Sequence, residues 1–298
     1  MAILLTSDTR VLAVNATGSY GGGQVRAMRG FGTQVVAHVA PGHTGEIDGL
    51  PVYATMADAV RATHASAAAN FTPAAGVRDS LDEAARAGLT LVFVAAEFVP
   101  VHDVLRAAQQ ARAAGLWLVG PNSSGMASPG QAVLGAIPPG MTRPGRIGVM
   151  GRSGTLTMNV CRALSRAGLG QSSVVHIGGD IVCGRNPHEW LGLFIADPQT
   201  DLVVYLGEPG GTKEYAMLDA VRSARKPVVT LVVGRHVPRE RRMGHAGALV
   251  GSERETATAK IEALAAAGAH IARSPAEVVE IAGRLLGQSA LTALELLA

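Results

Sequence analysis

Short runs of branched apolar residues alternate with helix-length stretches along the whole chain, and this alternation narrows the available folds more than any other feature. Strand, crossover helix, strand is the rhythm of parallel sheets covered by helices on both faces, an α/β fold. Residues 10–15, 34–38, 65–71, 89–95 and 116–119 read as strands, and 56–62, 77–87 and 101–114 as helices. The stretch Thr17-Gly18-Ser19-Tyr20-Gly21-Gly22-Gly23 reads as a turn feeding a helix that carries Val25, Met28 and Arg29. Pro and Gly cluster at 138–145, which marks a boundary and predicts two domains, 1–140 and 145–298. A second set of strands follows at 146–150, 172–177, 202–206, 228–233 and 270–272, with helices at 155–167, 187–196, 213–224, 253–267 and 275–286. The last helix has a written start: Ser274 as N-cap, Pro275 at the first position and Glu277 in the first turn.

A chain of 298 residues is long enough for two cores of ordinary size. Its 48% apolar and 16% charged residues suit a well-buried fold and exclude disorder, while the low charge hints at surface covered in an oligomer. A net charge of +3 with no basic and aromatic stripe gives no reason to expect nucleic acid. Cys161 and Cys183 are too few for a disulfide framework or a zinc centre, so no metal site is expected. The start of the sequence lacks the pattern of a secretory leader, and no apolar run reaches membrane-spanning length. A soluble cytoplasmic protein without a membrane partner is the expectation.

Two glycine-rich turns follow strands and open helices, the geometry that offers backbone N–H groups to a phosphate. In the first, Gly18, Ser19 and Gly21 to Gly23 would line the site, and a purely structural turn is the alternative. NAD is disfavoured twice over: the spacing is not G-x-G-x-x-G, and the second strand lacks an acid at its end for a ribose hydroxyl. His43 follows that strand instead, as an anion partner when protonated or as a solvated turn residue. The second turn, Arg152-Ser153-Gly154-Thr155-Leu156-Thr157, aims small hydroxyl residues and a helix start at an anion, with plain capping as the alternative.

Arg241-Arg242-Met243-Gly244-His245-Ala246-Gly247-Ala248 then places a histidine between glycines, downstream of two arginines. Neutral imidazole is a good nucleophile near pH 7, and arginines favour phosphate oxygens. Glu208, leaving the end of another strand, is sited to accept a proton from the far ring nitrogen of His245; an exposed loop acid is the alternative. No G-x-x-x-x-G-K-[ST] nucleotide loop occurs, so a phosphoryl donor would be held by a partner chain.

Taken in order, Thr17-Gly18-Ser19, Pro41-Gly42, Gly120-Pro121-Asn122, Arg152 to Thr157, Gly178-Gly179-Asp180, Asp197-Pro198-Gln199-Thr200, Gly207-Glu208-x-Gly210-Gly211 and Arg242 to Ala248 resemble the α subunit of succinate–CoA ligase (succinyl-CoA synthetase) over nearly the whole chain. The resemblance implies a Rossmann-like CoA-binding domain followed by a flavodoxin-like ligase domain. It also implies a β subunit, in an αβ or α2β2 assembly, whose ATP-grasp site holds ATP or GTP with Mg²⁺. The implied reaction, a step of the tricarboxylic acid cycle, runs through an acyl phosphate and a phosphohistidine. His245 matches the phosphorylated histidine and Glu208 the carboxylate that steadies it. Thr17, Gly18, Ser19, Ala95, Ala96 and Glu97 match CoA-binding positions, and Ser153, Gly154 and Thr155 open the helix aimed at the phosphohistidine.

The edges of the pattern depart from that family. Tyr20 stands where glutamine is usual, His43 where a lysine meets CoA, Phe98 where a glycine follows the glutamate, Ser123-Ser124 where Cys-Pro is usual, and Asn70-Phe71-Thr72-Pro73 also differs. Met158 replaces a tyrosine of the carboxylate site. A paralogue acting on a different small dicarboxylate, such as malate, fits these changes. A CoA-binding regulatory protein that no longer turns over is the alternative of a different class, and retention of His245 and Glu208 counts against it.

Overall fold

The computed structural model describes residues 3–138, 140–236, 245 and 247–287. The chain divides into two compact units, one of Leu4–Pro139 with Val182–Arg185, the other of Met1–Ile3, Gly140–Ile181 and Asn186–Ala298.

The first unit runs β1 (Arg10–Val14), α1 (Ser19–Phe31), β2 (Gln34–Val39), β3 (Glu46–Ile47), β4 (Leu50–Tyr53), α2 (Met56–Thr63), β5 (Ala67–Asn70), α3 (Val77–Arg86), β6 (Leu91–Val94), α4 (Val101–Ala113), β7 (Trp117–Val119), β8 (Gly125–Ser128) and β9 (Ala132–Gly135). Its parallel strands lie in the order β4-β2-β1-β5-β6-β7, the 3-2-1-4-5-6 arrangement of dinucleotide-binding sheets. Strands β5 and β6 are buried throughout, as expected of a sheet covered on both faces. Leu12, Val14, Ala37 and Val39 pack against Met56, Leu81 and Val104 of the covering helices.

Three details differ from the sequence reading, the first being β3 and β4, where no strand was expected. Helix α1 already begins at Ser19, so Gly21 to Gly23 belong to its first turns and not to the preceding loop, and Gly21 and Gly22 are buried. Close packing requires Gly21: a methyl there would sit 2.7 Å from the Ala16 Cα. The antiparallel β8–β9 hairpin is also new. Thr33 Oγ1 donates to the Val133 carbonyl at 2.8 Å and accepts from the Val133 N–H at 2.9 Å, fixing the hairpin beside the end of α1.

The second unit runs β10 (Pro144–Gly151), α5 (Gly154–Arg166), β11 (Gln171–His176), α6 (Pro187–Ala196), β12 (Leu202–Gly207), α7 (Leu218–Ser223), β13 (Val228–Val232), α8 (Ala257–Ala266), β14 (His270–Ala272) and α9 (Pro275–Leu285). Its parallel strands are ordered β14-β13-β12-β10-β11, the 2-1-3-4-5 arrangement of flavodoxin-type sheets. Two expected helices start differently. Residues Lys213–Met217 form a 3₁₀ turn before α7, with Glu214 and Met217 turned inward. Glu253–Glu255 form another, because Ser252 and Glu255 make a closed capping box and Thr256 then adopts extended backbone to cap α8. Helix α9 starts as the sequence indicates, with the Ser274 hydroxyl accepting from the Glu277 N–H at 3.2 Å. Among the described residues no helix is long and apolar enough to cross a membrane.

Candidate active site

Doubly wound sheets open a crevice beyond the carboxyl ends of their strands, where the strand order reverses. In the second unit that reversal lies between β10 and β12, which are direct neighbours. Arg152 leaves β10 and Glu208 leaves β12, so the topology brings a cation and a carboxylate to the same point.

His245 meets them there. Its Nδ1 lies 2.8 Å from Glu208 Oε2, with the ring 30% exposed and the carboxylate 7% exposed. A carboxylate only accepts, so Nδ1 carries a hydrogen, and in the neutral ring Nε2 then keeps its lone pair. The other Glu208 oxygen faces Arg152 Nη2 at 3.6 Å, and the same Nη2 donates to the Asp180 carbonyl at 3.1 Å. Behind them His176 Nε2 donates to the Arg152 carbonyl at 3.0 Å. Burial pushes the His176 pKa down to about 4, outweighing that hydrogen bond, so this ring is neutral at pH 7.

The chain around the histidine is fitted closely. A methyl on Gly179 would lie 2.8 Å from the His245 ring. Gly247 N–H donates to the Gly179 carbonyl, and Ala248 N–H to that of His245. Gly210 has φ +89°, and a side chain on it would meet the Gly247 carbonyl at 2.1 Å. Arg241 to Gly244 and Ala246, which the sequence places in the same loop, lie outside the described residues.

At the second glycine-rich turn, Ser153 is the N-cap of α5 and accepts from the Leu156 N–H at 3.4 Å, so its hydroxyl is engaged in capping. Gly154 is half-buried and Thr155 exposed in the first turn. Met158 is buried and offers a carboxylate no strong hydrogen-bond donor.

The first unit carries the remaining expected positions. Thr17, Gly18, Ser19 and Tyr20 are exposed, and Gly18 is an N-cap with no side chain to occupy the first-turn amides of α1. The Tyr20 ring meets Phe71 edge-on at 6.1 Å. His43 is exposed beyond β2; Ala95 and Ala96 are half-buried and Glu97 exposed beyond β6. Phe98 is 72% exposed with φ +58°, an unusual backbone for an aromatic residue. These stretches follow the carboxyl ends of β1, β2 and β6, and so share one edge of the sheet. A cavity of about 330 Å³ opens on the same edge, lined by Val14, Asn15, Val39, Pro41 and Thr72 among others; Thr17 to Tyr20, His43 and Ala95 to Glu97 do not line it. An uncapped helix start beside a cleft at the strand-order reversal suits a phosphate-bearing ligand such as CoA.

Arg152, Gly179 and Asp180 stand in the sequence only as motif members, and nothing local marks His176 or Lys260. Their signal is burial, which sequence does not print.

Two family descriptions match the chain: "CoA binding domain" over residues 6–98 and "CoA-ligase" over residues 150–270. Fold and site therefore define a CoA ligase chain with a CoA-binding half and a ligase half. The chain is 42% identical to the succinate–CoA ligase [ADP-forming] subunit alpha 2 of Archaeoglobus fulgidus, across 96% of this chain and 100% of that one. It is 38% identical to the ADP-forming sulfoacetate–CoA ligase subunit SauD of Bilophila wadsworthia, across 96% and 100%. Among solved structures, ATP citrate lyase of Methanosaeta concilii in complex with (3S)-citryl-CoA superposes with a TM-score of 0.88 at 26% identity, covering 96% of this chain and 51% of that chain. This chain thus spans about half of the citrate lyase. It belongs to the succinate–CoA ligase α-subunit family of ADP-forming CoA ligases.

Proposed function

We propose that this chain is the α subunit of a nucleotide-dependent carboxylate–CoA ligase that works through a phosphohistidine at His245. The observation that carries the reading is the 2.8 Å contact between His245 Nδ1 and Glu208, which orients the ring with Nε2 available to a phosphoryl group. Glu208 holds the tautomer and offsets charge on the ring. Phosphoryl transfer from Nε2 to a substrate carboxylate gives an acyl phosphate. CoA, when bound, supplies the thiol that displaces phosphate from the acyl carbon. Thr17, Gly18 and Ser19 at the start of α1 hold its phosphates, with Tyr20, His43 and Ala95 to Glu97 on the same edge. Gly154 and Thr155 direct the start of α5 at the phosphohistidine, while Ser153 caps that start.

The phosphoryl donor sits on an ATP-grasp β subunit, in an αβ or α2β2 assembly, because this sequence has no phosphate loop for a nucleotide. Relatives named as ADP-forming favour ATP with Mg²⁺ over GTP. Succinate is the first candidate acid. A different small diacid, malate or sulfoacetate, is favoured by the buried apolar Met158 at the position the resemblance assigns to the carboxylate site, and by the sulfoacetate–CoA ligase relatives.

The test is phosphorylation of the chain with its β partner by γ-labelled ATP or GTP, with His245→Ala as control. Acid-labile label on His245 that CoA plus one acid discharges establishes the ligase and identifies the acid. A folded pair that takes up no label overturns the reading and leaves a CoA-binding protein.

A further inference from the structure

Lysine is among the residues least often fully buried, and a buried one needs both a counter-charge and acceptors for its three N–H groups. Lys260, on α8, is wholly inaccessible to solvent. Its Nζ donates to the Glu208 carbonyl at 2.9 Å and the Gly210 carbonyl at 2.7 Å, and lies 2.8 Å from Glu214 Oε2 as an ion pair. Tyr205, fully buried on β12, donates its hydroxyl to Glu214 Oε1 at 2.9 Å. The charges that face Lys260 are therefore Glu214 and Glu208, with Arg152 opposing them. The Gly210 N–H also donates to the Glu255 carbonyl at 2.8 Å, so both ends of this short loop are tied to the α8 region.

We propose that Lys260 is the positioning residue for the His245–Glu208 pair: its ammonium gathers the carbonyls of Glu208 and Gly210 and so fixes the loop from which the Glu208 carboxylate reaches the ring. Lys260 reaches neither His245 nor substrate; it acts through the backbone of Glu208. Glu214, itself held by the Tyr205 hydroxyl, offsets the burial that lowers the Lys260 pKa. A free loop at this point would let the carboxylate swing away and leave the ring to choose its tautomer as histidine does in water. The inference deepens the phosphohistidine reading and rests on it for its catalytic meaning, but its geometric content is measurable without turnover.

The test uses the full chain labelled with ¹⁵N-histidine, with the His245 ring assigned by difference from His245→Gln. Lys260→Met/Glu214→Gln removes the ammonium without stranding a buried carboxylate. Lys260→Gln/Glu214→Gln restores two N–H donors without the charge. The expected result is that the first pair moves the His245 ring nitrogens from a fixed Nδ1–H form toward the averaged shifts of free histidine. The second pair moves them back at least halfway. With the β partner present, the first pair slows His245 phosphorylation at least tenfold with KM for the nucleotide unchanged. Unchanged ring shifts in a folded Lys260→Met/Glu214→Gln chain overturn the proposal even if the chain is phosphorylated normally. Wild-type ring shifts together with no phosphorylation by any nucleotide would instead count against the phosphohistidine reading alone. Couplings across the hydrogen bonds from Lys260 Nζ to the Glu208 and Gly210 carbonyl carbons need no substitution; an uncoupled, freely exchanging ammonium in the unaltered chain also overturns it.

Discussion

The two glycine-rich turns share one backbone plan and differ in how they are furnished. In each, a buried parallel strand ends at a strand-order reversal and a 13-residue helix begins. The first is capped by Gly18 with no side chain on the helix amides, and its residues are exposed. The second is capped by the Ser153 hydroxyl and backed by a buried arginine, a buried glutamate and a neutral histidine. The difference teaches that a helix start can serve a ligand in two ways. Left bare, its amides are open to a phosphate, as proposed for the start of α1. Wired into buried charges, it becomes part of a fixed arrangement around His245.

Breaking the wired turn should cost stability first. Arg152→Met strands the Glu208 carboxylate in a buried position and is expected to destabilise the chain by about 3–5 kcal/mol in denaturant unfolding. A loss under ~1 kcal/mol would mean that the Arg152–Glu208 attraction is screened.

Acid should act on the same turn. The His176 pKa is lowered from 6.5 to about 4 in the folded chain, so between those values the unfolded chain binds a proton that the folded one refuses. Stability is therefore lost as pH falls through that window, by about 3 kcal/mol in total if His176 acts alone. His38, fully buried on β2 with its pKa lowered by burial, pulls in the same direction from the first unit. Denaturant midpoints measured from pH 7 to 4 should flatten in His176→Gln; an unchanged slope would assign the effect to His38 and the carboxylates.

Crowding the histidine separates geometry from stability. Gly179→Ala puts a methyl 2.8 Å from the His245 ring and should slow its phosphorylation by roughly 100-fold, with little change in Tm. Gly21→Ala in the first unit meets backbone instead and should cost about 1–3 kcal/mol of stability.

The smallest effect sharpens the contrast. Gly18→Asp supplies the missing cap and adds a few tenths of a kcal/mol of stability. Its carboxylate also occupies and repels the proposed phosphate position, so CoA binding by calorimetry should weaken about tenfold, or ~1.4 kcal/mol. Undiminished affinity would move the phosphates away from the start of α1.

Much of this was legible in the chain itself. Alternation marks every parallel strand except β4, whose Leu50-Pro51-Val52-Tyr53 run is only partly buried; strands buried on both faces are continuous apolar runs that stand out from their helices. Glu208 was legible as a carboxylate leaving a strand end and His245 as a histidine between glycines, while the choice of their pairing over an exposed loop acid came from the family resemblance, and their roles are proposals. Gly21 to Gly23 were misplaced because glycine signals a turn locally; the proximity of Ala16 explains Gly21 inside the helix, and nothing in the structure explains Gly23. The β8–β9 hairpin was passed over because Gly125-Met126-Ala127-Ser128 and Ala132-Val133-Leu134-Gly135 hold a single β-branched residue, Val133, between them. Lys260 reads as an ordinary solvated lysine, since nothing on α8 announces the Glu214 that faces it across the fold.

The segment Val182–Arg185 belongs to the first unit although it follows β11 of the second. Gly184 N–H donates to the Gly120 carbonyl, and the Arg185 guanidinium lies 4.5 Å over the Trp117 ring and donates to the Leu116 carbonyl. During synthesis, the first unit therefore lacks a piece of its own β7 edge until residues some 45 positions beyond its nominal end have been made, a wait of roughly 2–9 s at 5–20 residues per second. The ribosome delivers the two halves in order, but the fold requires the first to wait for the second.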